Sequence, residues 1–173
     1  MILLTGGSAC GKSAFAESLC TSLPLPRYYI AAMKPYGAEG EERIRRHRTL
    51  RRGKGFETIE KYTALDELTL PGRGTALLEC ICNLTANEMF DDNSTFCDPC
   101  EAVIRGTMAL AAQCNNLVVI TNDVGADALD YNEGTRAYIK AMGSINAALA
   151  EKADTVCELV CGIPLVLKGT LPE

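Results

Sequence analysis

The sequence predicts a three-layer α/β domain, a mostly parallel sheet with helices packed on both faces. Three observations predict it. Short apolar runs, partly β-branched or aromatic, recur along the chain, as buried parallel strands do. Helix-length segments separate them, and strands alternating with helices imply parallel pairing through crossovers. The first apolar run ends in a glycine-rich turn, and that turn opens directly into a helical segment.

In chain order, Ile2–Thr5 is the first strand candidate and Lys12–Ser22 the helix after the turn. A strand at 28–32 precedes a charged helix at 39–52. An apolar strand follows at 76–82, then a helix at 101–114, a strand at 117–121 and a helix at Glu133–Lys152. A strand at 156–161 closes the alternation, and 164–168 adds a final edge strand. Pro24-Leu25-Pro26, Pro71-Gly72-Arg73-Gly74 and Asp91-Asp92-Asn93-Ser94 read as loops rather than interdomain linkers. The reading is therefore one domain over 1–173, with substrate-specific elaboration expected in the loops between 88 and 99.

Composition narrows the partners. An apolar fraction of 47% and a charged fraction of 23% belong to an ordinary globular chain. The formal charge of −5 argues against general nucleic-acid binding. No apolar run approaches the roughly 18 residues that span a bilayer. Met1-Ile2-Leu3-Leu4 lacks the basic lead of a secretory signal, so a cytoplasmic location is expected. Nine cysteines, an odd count, fit a reducing compartment better than a disulfide framework. Cys80-x-Cys82 and Cys97-x-x-Cys100 offer four thiolates for zinc, but the first pair is spaced more closely than structural sites use. Small buried apolar residues are the favoured reading of the cysteines.

The turn reads Gly6-Gly7-Ser8-Ala9-Cys10-Gly11-Lys12-Ser13, the G-x-x-x-x-G-K-S phosphate loop. Backbone N–H groups and the positive end of the following helix point at bound phosphates. Lys12 reaches the terminal phosphates and the Ser13 hydroxyl ligates Mg²⁺. With the strand–helix alternation, the loop makes the expected class P-loop NTPase-like, in the RecA-like arrangement. A partner carboxylate belongs at the end of a neighbouring apolar strand, and Glu79 after Leu77-Leu78 fits best for Mg²⁺. An ordinary paired acid at a strand end is the alternative.

The stretch from Arg43 to Lys54 holds seven of the chain's 17 basic residues. In an acidic chain that clustering suggests a polyanion site such as one for a triphosphate. Compensation of the helix dipole, with Glu39, Glu41 and Glu42 at its start, is the competing reason. His47, the one histidine of the chain, lies in this stretch. Its arginine neighbours favour the neutral imidazole, which can attack phosphorus and form a phosphoramidate. On physical grounds alone a residue of a polar helix face is the favoured reading.

These residues together resemble the bifunctional adenosylcobinamide kinase/adenosylcobinamide-phosphate guanylyltransferases of cobalamin biosynthesis, over nearly the whole chain. The likeness runs through Ile2-Leu3-Leu4-Thr5-Gly6-Gly7, Gly11-Lys12-Ser13, Tyr29-Ile30-Ala31, Arg43-Ile44-x-x-His47-Arg48, Thr58-x-Glu60 and Leu77-Leu78-Glu79-Cys80. It continues through Thr121-Asn122-Asp123-Val124-Gly125, Asn146, Leu149, Ala153-Asp154 and Gly162. The resemblance implies two reactions. ATP or GTP phosphorylates the aminopropanol hydroxyl of adenosylcobinamide; GTP then transfers GMP to a histidine, here His47, and on to the cobinamide phosphate. It implies nucleotide contacts at the loop, at Ala31, Ala32 and Met33, at Arg48, Thr49, Leu50 and Arg51, and at Glu60 and Glu79. It also implies a homotrimer. Glu60 would pair with the guanine N1–H and N2 amine, a solvated acid being the alternative. Asn122 and Asp123 sit at a strand's carboxyl end, where open α/β sheets bind ligands; capping of the next helix is the alternative for Asp123.

The chain departs from that family at Ala9-Cys10, where Arg-Ser is usual, at Met33, at Ala38 in place of an aspartate, and at Phe56 in place of a tryptophan. Loss of the loop arginine removes a phosphate contact and bears on the kinase step more than on His47. A guanylyltransferase without efficient kinase activity is therefore one rival, and a P-loop kinase of another small metabolite a second. A regulatory GTPase is a third, disfavoured because no Asn-Lys-x-Asp motif is present.

Overall fold

The computed structural model describes residues 1–35, 37–90, 97–125 and 130–172; the side chains of Ala38, Glu39, Glu41, Arg43, Arg46, His47 and Leu50 lie outside the description. Its strands are β1 (Ile2–Thr5), β2 (Arg27–Ala31), β3 (Phe56–Glu60), β4 (Thr75–Leu78), β5 (Asn116–Ile120), β6 (Thr155–Val160) and β7 (Ile163–Lys168). Its helices are α1 (Lys12–Ser22), α2 (Gly37–Arg51), α3 (Ile81–Met89), α4 (Cys100–Gln113) and α5 (Glu133–Lys152), with a 3-10 turn at Leu65–Glu67.

The strands form one sheet in the order β3-β2-β4-β5-β1-β6-β7. All neighbours run parallel except β7, which returns antiparallel along β6. The loop-bearing β1 is separated from β4 by the inserted β5, the RecA-like arrangement of the P-loop NTPase-like class.

Strand alternation sorts the core into two layers. Leu3, Ile30, Ala76, Leu78 and Val119 point toward α3, α4 and α5, where Leu84, Val103, Leu110, Met142 and Ile145 meet them. Ile2, Leu4, Tyr29, Leu77, Val118 and Ile120 point the other way, toward Ala16, Leu19 and Cys20 of α1.

Two expectations fail here. The strand expected over 76–82 stops at Leu78, and Ile81 begins α3, which the sequence reading lacked altogether. β3 was likewise not expected: its Phe-Glu-Thr-Ile-Glu has only Phe56 and Ile59 half-buried, as an outer strand requires. The final edge strand at 164–168 is present and starts one residue earlier.

The turn after β1 constrains its first glycine. Gly6 has φ +136°, and a Cβ there would stand 2.6 Å from the Leu159 carbonyl oxygen of β6. Neither an L side chain's conformational range nor a neighbouring backbone can absorb that. Gly6→Ala is expected to cost about 2 kcal/mol, lowering Tm by about 4–8 °C in a thermal melt.

Candidate nucleotide site

The loop ends β1 and feeds α1 through Gly11, which adopts φ +98° as the helix N-cap. α1 has no side-chain cap and no acid in its first turn. By contrast, α5 is closed by the Asn132 side chain, which accepts from the Thr135 N–H at 2.8 Å. An uncapped start leaves first-turn N–H groups for an anion. Lys12 is buried, and its ammonium donates to the carbonyls of Gly6 at 2.8 Å and Gly7 at 2.6 Å. Its third neighbour is the Cys10 thiol at 3.6 Å. The loop thus holds the lysine at its centre. Gly7, Ser8, Ala9 and Gly11 are exposed, Cys10 and Ser13 half-buried. The Gly162 N–H of the β6–β7 turn donates to the Cys10 carbonyl at 2.9 Å and braces the loop from behind.

The other expected positions line up along the same carboxyl edge of the sheet. Ala31 ends β2, with Ala32 and Met33 just beyond; Glu60 ends β3, and Glu79 follows β4. The Glu79 N–H donates to the Ile30 carbonyl at 3.1 Å, so its buried side chain is held beside β2. Arg48 and Thr49 are exposed on the last turns of α2, and Arg51 is buried at its end. Ala31, Met33, Arg48, Arg51, Glu60 and Glu79 line one small recess, together with Ile44, Thr58 and Tyr62. An open groove of about 660 Å³ adjoins it, walled by Arg45, Arg48, Arg51, Arg52 and Phe56. Four guanidinium groups on one depression favour a polyanion. His47 lies on α2 between these arginines in sequence, but its side chain and that of Leu50 are outside the described residues.

Polar contacts organise the recess. Arg48 pairs with the Glu60 carboxylate, and the Tyr62 hydroxyl donates to its other oxygen at 2.8 Å. Burial and that acceptor hold the Tyr62 hydroxyl above its ordinary pKa. Tyr29 is raised further, first by burial and then by the neighbouring Glu79 charge and hydrogen bond. The donor chemistry also suits Mg²⁺: the Ser13 hydroxyl and the buried Glu79 carboxylate are hard oxygens, the type this ion takes alongside substrate phosphates.

The loop and the recess are distinct places. β1 and β2 are three ladder steps apart, about 14 Å at roughly 4.8 Å per step. Glu79, just past the end of β4, stands between them.

Asn122 and Thr121 carry structure at the end of β5. Thr121 Oγ1 donates to Asn146 Oδ1 at 2.6 Å, and Asn146 Nδ2 donates to the Asn122 carbonyl at 3.1 Å, tying α5 to the strand. Asp123 is exposed and does not cap the next helix, since Asn132 fills that position. The cysteines do not assemble the tetrathiolate considered for zinc: among the described residues no group of three or more potential ligands occurs. Cys80 and Cys82 instead flank the start of α3. The Cys82 thiol is held below its ordinary pKa by hydrogen bonds from Cys80 and Asn122, while the Tyr138 hydroxyl donates to the Cys82 carbonyl at 3.1 Å. Ile44, Thr58 and Tyr62 are the recess residues to which the sequence reading gave no role; an aromatic two residues after Glu60 was the available signal for Tyr62.

Comparison with known proteins accords with this site. A family model described as cobinamide kinase / cobinamide phosphate guanyltransferase matches residues 2–167. The bifunctional adenosylcobalamin biosynthesis protein CobU of Escherichia coli strain K12 is 31% identical over 97% of this chain and 99% of its own length. The corresponding CobP of Pseudomonas aeruginosa is 30% identical over 96% of each chain. A solved DnaB-like replicative helicase matches with a TM-score of 0.47 and 10% identity, over 91% of this chain and 46% of that one, a likeness too slight to bear on function. On the strength of the match along nearly its whole length, the chain belongs to the cobinamide kinase / cobinamide phosphate guanyltransferase family.

Proposed function

We propose that the chain carries out both reactions of its family on adenosylcobinamide, with the phosphate loop serving the kinase step and His47 carrying GMP. The observation that supports this most is two anion-receiving devices on one carboxyl edge. One is the uncapped start of α1 around Lys12; the other is the arginine-lined recess beside α2.

In the kinase step the aminopropanol hydroxyl oxygen attacks the terminal phosphorus of ATP or GTP. The bond to the nucleoside diphosphate breaks, and the hydroxyl proton leaves to solvent or a base. Lys12 would turn from the Gly6 and Gly7 carbonyls to the developing phosphate charge, where such contacts count most. Mg²⁺, held by Ser13 and Glu79 with the phosphates, would offset charge between the phosphate oxygens. In the transfer step a His47 ring nitrogen attacks the α-phosphorus of GTP. A P–N bond forms and pyrophosphate leaves. An oxygen of the cobinamide phosphate then attacks the same phosphorus, the P–N bond breaks, and adenosylcobinamide-GDP is released. Arg48 and Arg51 would bind the phosphate oxygens through charge-assisted hydrogen bonds.

Glu60 would select guanine by giving up its pair with Arg48 and accepting from the guanine N1–H and N2 amine. Glu60→Ala is then expected to narrow the preference for GTP over ATP in protein guanylylation by about tenfold, the worth of one charge-assisted contact. Competition between the two nucleotides in a labelling assay checks it.

The reading as a whole is tested with Mg²⁺ and GTP labelled at the α-phosphate, followed by denaturation. Label that stays on the protein, acid-labile and alkali-stable, with one pyrophosphate released per label, supports it. No retained label overturns the transfer assignment. A guanylyltransferase with a weakened kinase step is the second reading, favoured by exposed Ala9, whose φ is +57°, standing where the family has arginine.

A homotrimer and a cytoplasmic location complete the proposal. The outward apolar side chains of β7, Ile163, Leu165, Val166 and Leu167, support association, since an exposed apolar edge strand invites a partner. No helix among the described residues is long and apolar enough to cross a membrane.

A further inference from the structure

Arg51 is 7% exposed, and its Nε and Nη1 have no hydrogen-bond partner among the described residues. A buried guanidinium with orphaned donors is costly unless something completes it. What lies against it is an aromatic face: its Cζ stands 3.5 Å from the centre of the Tyr29 ring. Tyr29 is 1% exposed in the middle of β2 and braced edge-on by Phe56, ring centres 6.0 Å apart at 83°. Its hydroxyl hydrogen-bonds Glu79. One side chain therefore touches two nucleotide-site candidates that come from different elements.

We propose that Tyr29 is a positioning residue of the nucleotide site: its ring face holds the Arg51 guanidinium with unpaired N–H donors for a nucleotide phosphate oxygen. This rests on the nucleotide-site reading above. The choice of an aromatic partner has a physical reason. A carboxylate in its place would attract the guanidinium equally well but would consume the donors. A ring attracts the cation through its quadrupole and leaves the N–H groups unspent.

The test is equilibrium binding of GTP with Mg²⁺ to five proteins: wild type, Tyr29→Phe, Tyr29→Leu, Arg51→Ala and the double variant Tyr29→Leu/Arg51→Ala. Phenylalanine keeps the ring face, so binding is expected within about threefold of wild type. Leucine removes it, and binding is expected to weaken about tenfold to thirtyfold, the worth of a desolvated cation–π contact. In the Arg51→Ala background the same leucine change is expected to alter binding by less than about threefold, because a residue acting through Arg51 has nothing left to act on. A leucine effect that persists in full without Arg51, or a leucine variant that binds as wild type does, overturns the assignment. Should Tyr29→Leu fail to fold in a melt, Tyr29→Met replaces it in the same cycle, filling the volume without the π face. The two readings separate cleanly. Coupled binding effects with no label retained on the protein leave Tyr29 in place and sink the transfer step. Retained label with additive effects does the reverse. GTP that does not bind the wild type overturns both.

Discussion

His47→Asn is expected to retain no guanylyl label after denaturation, a loss of at least about a thousandfold relative to wild type. The size follows from the role: a covalent intermediate needs a nucleophile, and an amide nitrogen, its lone pair delocalised, is not one at neutral pH. The arginines near it in sequence would hold phosphate oxygens but would supply no bond to phosphorus. Asparagine matches one edge of the imidazole in size and polarity, so the helix loses little by the change. A melt that stays within a few degrees of wild type shows that label is lost for chemical reasons. Label retained by His47→Asn would move the nucleophile to another side chain.

Lys12→Ala is expected to lower the rate of adenosylcobinamide phosphorylation by about 10²–10³, the usual consequence of removing one preorganised donor from developing charge. Structure adds a second component. The ammonium now satisfies the Gly6 and Gly7 carbonyls, so its removal leaves two acceptors at the loop's centre without their donor. Lys12→Arg separates the two components: it restores charge with a planar fork that cannot reproduce a compact ammonium among converging carbonyls. Phosphorylation is followed with nucleotide labelled at the terminal phosphate. An unchanged rate in Lys12→Ala would remove the loop from the kinase step.

Much of the fold was legible because local signals and packing agreed. The helix over Lys12–Ser22 begins where a glycine with positive φ must end the turn, and its Ala16, Leu19 and Cys20 meet the sheet at helical spacing. The error at 76–82 arose where they did not. Leu77-Leu78-Glu79-Cys80-Ile81-Cys82 is apolar enough to read as a single strand, yet the chain turns at Cys80 and changes period there. The buried positions of α3, Ile81, Cys82, Leu84, Thr85 and Met89, carry the helical pattern once the start is known. A continuous apolar run hides such a boundary because strand and buried helix share it. β3 escaped for the opposite reason, being too polar to declare itself.

The site divides in the same way. The phosphate loop is contiguous, so its residues could be named from sequence. The recess is assembled from α2 and three strand ends, and only the family resemblance drew Arg48, Arg51, Glu60 and Glu79 together. Tyr29 shows where both sources stop. Its partners lie 22 and 50 positions further along the chain, and a cation resting on a ring leaves no spacing to read.

The central claim, that His47 carries GMP between GTP and the cobinamide phosphate, is tested most directly by a single-turnover chase. Enzyme labelled with α-labelled GTP is freed of nucleotide and mixed with adenosylcobinamide phosphate. The account predicts that label leaves the protein and appears in adenosylcobinamide-GDP, one product per label lost, at a rate fast enough to support steady turnover. Label that stays on the protein, or leaves it only as free GMP, would contradict the claim.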